Sequence, residues 1–136
     1  MASFKHGENI SISGGGSLAE IFKEFANITE IEVLTAADVA GKTTANNTVK
    51  TLKATSPKGK RYAKGWRVKK ENKIYYVYQE AQPSLTHLLN NGHDIIKNGV
   101  KVGRAAGDNH IGKAEETAKR EFVEETIKEI NRRLNT

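Results

Sequence analysis

The apolar positions change period several times along the chain, and each change predicts a change of element. Asn9-Ile10-Ser11-Ile12-Ser13 alternates, the mark of a short strand that joins a sheet edge or lies across a neighbouring subunit. Gly14, Gly15 and Gly16 follow, and three consecutive glycines predict a hinge between a flexible N-terminal arm, residues 1–16, and a body, residues 17–136. Ser17-Leu-Ala-Glu20 fits a capping box, so a helix is expected to begin there. Leu18, Ile21, Phe22, Phe25, Ile28, Ile31 and Leu34 form one stripe at spacings of three and four, which continues through Ala37, Gly41, Ala45, Val49 and Leu52. Gly41 weakens the middle, giving one long helix or two with a joint near 41. Ser56 precedes Pro57 and is pushed out of the helical region, which ends the run.

Beyond Pro57 the residue types favour strands. Arg61–Lys70 and Lys73–Gln79 are rich in Tyr, Trp, Val and Ile, and Glu71-Asn72 between them predicts a tight turn and hence a hairpin. Tyr62, Trp66 and Val68 fall on one face of the first strand, and Arg61, Arg67 and Lys69 on the other, away from the core. Ile74 to Tyr78 is apolar on both faces and belongs inside the sheet. Pro83-Ser84 opens a short helix, Leu85 to Asn91, which Gly92 caps. Ile95 to Arg104, punctuated by Asn98-Gly99, reads as a third strand region or a small hairpin. A last helix runs from His110 to about Leu134, with Ala114, Ala118, Phe122, Ile127, Ile130 and Leu134 on its stripe. The acidic pair Glu115-Glu116 at its start and Arg132-Arg133 at its end follow the charge order that the helix dipole favours. The expected fold is α+β: a small antiparallel sheet, made of hairpin 61–79 and a further strand near 95–104, packed on a long N-terminal helical segment and a C-terminal helix.

A length of 136 residues suits a single domain. No apolar run approaches the roughly 20 residues needed to span a bilayer, and the first residues lack the apolar core of a secretion signal, so a soluble protein made in a cytoplasm, with no membrane partner, is expected. With no cysteine, thiol chemistry and thiolate metal sites are excluded. The net charge of +6 is unevenly spread: Lys50, Lys53, Lys58, Lys60, Arg61, Lys64, Arg67, Lys69 and Lys70 crowd one segment free of Asp and Glu, leaving the remainder net acidic. Such a two-sided molecule suits a nucleic acid or an acidic surface on a neighbouring copy.

Candidate chemistry is sparse. His87, His93 and His110 invite a metal reading, but a spacing of six does not place His87 and His93 on one helix face, and no carboxylate motif accompanies them. Ser84, His87 and Asp94 lack a nucleophile-elbow context, and the glycine triplet lacks the Gly-Lys-Ser/Thr of a phosphate loop. No catalytic residue, metal or cofactor is nominated, and the chain is not expected to be an enzyme. The basic hairpin, residues 50–70, is the alternative: Tyr62, Trp66, Tyr75, Tyr76 and Tyr78 between cations could stack bases in a sequence-independent nucleic-acid-binding module.

Tyr62-Ala-Lys-Gly65-Trp66-Arg-Val-Lys-Lys70, then Leu85-Thr-His87-Leu-Leu-Asn-Asn-Gly92-His93, then Asn98-Gly99, then His110-Ile111-Gly-Lys-Ala-Glu115-Glu116 stand in that order across about residues 49–125. This series resembles the tail-completion, or head-tail joining, family of neck proteins found in tailed bacteriophages, prophages and contractile tail-like particles. The chain departs from the family's usual pattern at Lys58-Gly59-Lys60-Arg61, where Thr-Gly is common, at Asn90-Asn91, where an acidic or aromatic pair is usual, and at Asn109 and Lys113, where prolines flank His-Ile.

The resemblance implies a virion structural protein that forms a homo-oligomeric, hexameric ring in the neck. That ring joins the tail tube or tail terminator to the head connector and is assembled in the bacterial host cytoplasm. Ring closure requires two unlike, complementary surfaces on each copy. Arg61, Lys64, Arg67, Lys69 and Lys70 are the expected basic surface, and Glu115, Glu116, Glu121, Glu124 and Glu125 the acidic one. The basic residues lie either at subunit contacts or along the channel through which DNA passes transiently; the contacts are preferred, because a lumen that gripped phosphates would slow genome exit. The arm 1–16 is expected to add a strand to an adjacent subunit.

Overall fold

Two long helices carry most of the core, and small residues let them lie close together. In the computed structural model, which describes residues 7–13, 28–57 and 59–134, helix α1 (Glu30–Thr55) starts where Thr29 leaves the extended region and its side chain accepts from the Glu32 amide at 3.2 Å. Ser56 caps its other end by donating its amide to the Leu52 carbonyl. The expected start at Ser17 and the glycine hinge fall outside the described residues. The cap at Thr29 separates Ile28 from the helix, so the stripe is not one continuous helical face from 18 to 52.

The buried positions of α1 step by four: Ala36, Ala40, Thr44, Thr48 and Leu52, flanked by Ala37, Gly41 and Ala45. Helix α4 (His110–Leu134), last in the chain, buries Ala114, Ala118, Phe122, Thr126 and Ile130 at the same step. Ridges of this spacing on both helices interdigitate. Val33 shares a cluster with Ile130, while Leu52 shares another with Ile111 and Ala114, so the pair is antiparallel. The expected stripe of α4 is corrected at its end: Thr126 is fully buried, its hydroxyl donating to the Phe122 carbonyl, whereas Ile127 is half-buried and Leu134 exposed. A threonine satisfied by its own helix fits a core position that the apolar pattern assigns to its neighbour. Ile31 and Leu34, expected on the buried stripe, also face outward.

Gly41 does not break α1. A Cβ there would sit 3.0 Å from the Tyr75 ring, so the glycine makes room for an aromatic of the sheet, and tertiary packing overrides weak propensity.

The described residues form two antiparallel sheets. In the first, β3 (Ile74–Gln79) is central between β1 (Ile10–Ile12) and β2 (Trp66–Glu71), with Ile10 opposite Val77 and Val68 opposite Val77 on its other side. The central place of 74–78 agrees with its apolar character on both faces. The N-terminal strand pairs within its own chain, where Ile10 and Ile12 are buried, and the edge it covers is not open to an adjacent subunit.

Two details of the expected hairpin change. Arg61, Tyr62 and Lys64 belong to a short helix, α2 (Gly59–Lys64), and the strand begins only at Trp66. Tyr62 and Trp66, four apart, satisfy a helical turn as well as a strand face, and the helical choice brings both rings inside. The turn falls at Asn72-Lys73, both with positive φ, which is the two-residue geometry whose twist suits a hairpin.

A 3-10 turn (Pro83–Leu85) leads into α3 (Thr86–Asn91), closed by Gly92 at φ 86°. The region 95–104 does not extend the first sheet. It is the core of a separate hairpin, β4 (Gly92–Lys97) and β5 (Val100–Ala106), joined by Asn98-Gly99 with positive φ at both residues.

Candidate assembly surfaces

Two of the three resembling segments meet at a buried aromatic node. Tyr62 from α2, Trp66 from β2 and His110 from the start of α4 are all nearly solvent-free, with mutual ring-centre distances of 5.6–6.3 Å in edge-on geometry. Each polar atom of the node is satisfied. The Asp108 carboxylate can only accept, so Nδ1 of His110 donates to it at 2.6 Å, and in the neutral ring Nε2 accepts from the Tyr62 hydroxyl at 2.8 Å. Trp66 donates its indole N–H to Ser56 Oγ at 2.8 Å, tying the node to the end of α1. Burial, and secondarily the Asp108 charge, pushes the Tyr62 phenol above its ordinary range.

Around the node the same segments supply close-fitting supports. Buried Gln79 donates to the Tyr62 carbonyl at 2.7 Å and occupies the space a Cβ on Gly65 would need. Ile111 packs in the main core. Asn90, one of the departures from the family pattern, accepts through its side chain from the Ile111 amide at 2.8 Å and so caps α4 from outside. Asn109 takes φ 55°, a conformation closed to proline. Thr86, which the sequence reading passed over, is buried and accepts from the Glu8 amide at 2.8 Å, fastening the chain ahead of β1 to α3. Nothing local in the sequence signals these links, since their partners lie far along the chain.

The predicted basic face is outward, as expected, but part of it is already paired. Arg67 meets Glu80 at 3.2 Å, Lys69 meets Glu71 at 3.9 Å, and Lys70 meets Asp38 at 2.8 Å. The Lys70 ammonium holds the Asp38 carboxyl below its ordinary range, and Asp38 raises Lys70 in return. These pairs are exposed, so solvent and salt screen them and they add little to stability. Arg61 and Lys64 are exposed on α2 and make no ion pair among the described residues. On α4, Glu115 pairs with Lys119, Glu125 with Lys128, and Glu121 accepts from Asn47 of α1. Glu116 and Glu124 remain exposed.

The histidines and the serine do not converge into chemistry. His87 is exposed on α3, His93 is half-buried in β4, and His110 is committed to the node. Asp94 is engaged by Lys101 and Arg104, each at 3.3 Å. Among the described residues, no three His, Cys, Asp or Glu are placed to hold a metal, and no helix is long and apolar enough to cross a membrane.

Two apolar surfaces went unread in the sequence. The β4–β5 hairpin leans mainly on α3 and exposes Ile95, Ile96, Val100 and Val102. A groove of about 700 Å³ runs between α1 and the end of the first sheet that carries the Asn72-Lys73 turn, lined by Ile12, Ile31, Leu34, Tyr75 and Phe122, with Asp38, Lys70 and Lys73 among its polar residues. An Asn-Gly turn flanked by Ile-Ile and Val-x-Val was the available signal for the first.

No family model, curated protein or solved structure matches the chain.

Proposed function

We propose that this chain is a structural subunit of the head-tail junction of a tailed bacteriophage or a related tail-like particle. Copies assemble into a closed ring that contacts the tail tube on one side and the head connector on the other. The observation that supports this reading best is the division of labour within the resembling segments. Tyr62, Trp66, His110 and Ile111 build a buried scaffold, and the stretch between the second and third segments holds out a hairpin with its apolar residues in solvent. A subunit whose work is contact needs a rigid base and exposed adhesive surface. Arg61 and Lys64 on α2 are exposed cations, and Glu116 and Glu124 on α4 exposed carboxylates, none ion-paired among the described residues, and head-to-tail closure calls for such complementary groups.

The nucleic-acid alternative keeps a smaller stacking platform. Tyr62 and Trp66 are fully buried and Tyr75 nearly so, while Tyr76 and Tyr78 stay half-buried on one face of β3 opposite Lys69 and Arg67, so two of the five aromatic rings remain available for stacking.

The test is charge reversal of Arg61 and Lys64 to Glu in a host that produces the parent particle. Heads and tails should accumulate unjoined while the variant keeps wild-type melting. Normally joined particles would contradict the proposal. A monomeric chain whose DNA affinity falls steeply with salt would favour the alternative.

A further inference from the structure

Ring closure accounts for only part of the basic segment. Residues 50–70 carry no Asp or Glu, and the strand that ends the segment sends its cations to both sides of the first sheet. Lys70 turns to the inner side, where Asp38 of α1 meets it. Arg67 and Lys69 stand on the outer side, and both are exposed. The central strand β3 alternates in the same way: Tyr75, Val77 and Gln79 are buried on the inner side, and Ile74, Tyr76 and Tyr78 are half-buried on the outer.

Register sets each outer tyrosine directly across from a cation, Tyr78 from Arg67 and Tyr76 from Lys69. Residues so opposed have Cβ atoms about 5 Å apart, which puts a positive charge beside each ring. Two residues along a strand advance about 7 Å, so each ring has space for a base of its own. The patch continues beyond the sheet. Arg67 donates to the Lys64 carbonyl at 2.6 Å and lies against the end of α2, whose Lys60, Arg61 and Lys64 are exposed. The carboxylates paired to the patch are Glu80, 3.2 Å from Arg67, and Glu71, 3.9 Å from Lys69. Five cations outnumber them, and exposed pairs of this kind yield readily to a phosphate.

Phosphates call for cations and base faces call for flat apolar rings, and this face offers the two side by side. A duplex keeps its base faces inside the stack, so rings fixed on a sheet reach them in a single strand. We infer that the outer face of β2 and β3 binds single-stranded nucleic acid without regard to sequence. Tyr76 and Tyr78 each stack on a base, Arg67 and Lys69 hold the phosphates, and the cations of α2 extend the positive field that draws the strand in. The inference goes beyond the ring reading and does not rest on it, because the face is built within one chain.

Fluorescence anisotropy of a labelled oligothymidylate with the full chain is the test. Binding should saturate, weaken steeply as salt rises, and exceed that of a blunt duplex of the same length by tenfold or more. Tyr76→Ala with Tyr78→Ala should weaken it at least tenfold at fixed salt and leave the salt slope unchanged. Arg67→Gln with Lys69→Gln should instead reduce that slope by about 1.4, the share of two phosphates. Melting curves establish that each variant folds. Photocrosslinking of the wild-type chain to an oligonucleotide containing 5-bromodeoxyuridine needs no variant, and the adduct should map to Tyr76 or Tyr78. Absence of saturable binding at low salt overturns the inference, as does a duplex bound equally well. Folded tyrosine variants that bind as the wild type does, or an adduct that maps away from β3, overturn it too. The ring reading is judged separately, by the joining of particles in the Arg61 and Lys64 variant, so either can fail alone.

Discussion

The Tyr62 hydroxyl lies 2.8 Å from Nε2 of His110, so a residue of the short helix leading into β2 and the first residue of the last helix share one buried hydrogen bond. Asp108 fixes the ring from its other side at 2.6 Å. The chain is drawn together at this point, and the least invasive change to it is loss of one oxygen.

Tyr62→Phe leaves Nε2 of His110 buried without its donor and should cost about 1–3 kcal/mol at neutral pH, read by urea denaturation. The native phenol is held above its ordinary range, so above about pH 10 the unfolded chain releases a proton that the folded chain keeps. Wild-type stability from this group is thus complete below that pH and is lost as pH rises. The gap between wild type and Tyr62→Phe should narrow above about pH 10; a constant gap would place the ionisation elsewhere.

Gly65→Ala puts a Cβ into the space held by Oε1 of Gln79, which also accepts from the Ala81 and Gln82 amides. Displacing that side chain should cost about 2–4 kcal/mol. Adding Gln79→Ala to it should cost clearly less than the two single changes summed, since both act on the same atoms. Strict additivity in thermal melts would show that the contact is not shared.

Gly41→Leu should lower stability by about 1–3 kcal/mol, although an ordinary helical glycine gains about 1 kcal/mol when replaced by a good helix former. The difference in sign comes from the Tyr75 ring, which a Cβ would meet at 3.0 and 3.2 Å. A raised melting temperature would mean that the ring yields without cost.

Asn90→Ala removes the acceptor of the Ile111 and Gly112 amides and should cost about 1 kcal/mol. Hydrogen exchange should quicken in the first turn of α4 and not in its middle. Uniform quickening along the helix would instead indicate a global loss.

What was legible in the sequence was local. Asn98-Gly99 announced a hairpin turn, Gly92 the end of α3, Pro57 the end of α1, and Ile74–Tyr78 its own place at the centre of a sheet. What was not legible depended on a distant partner. Tyr62 and Trp66 fit a strand face and a helical turn equally until His110 is placed against them. Gly41 looked like a weak joint because Tyr75, which needs the space, lies far along the chain. Ile31 and Leu34 continue an apolar stripe in sequence, yet a stripe states only which residues can be buried, not whether anything covers them. The same holds for Ile96 and Val100, whose exposure carries the assembly proposal.

A three-dimensional reconstruction of the parent particle, traced to side chains at the junction of head and tail, tests the central claim most directly. The account predicts a closed ring of this chain there, with Arg61 and Lys64 at contacts between neighbouring copies. Junction density fully accounted for by other proteins, with this chain absent, would contradict it.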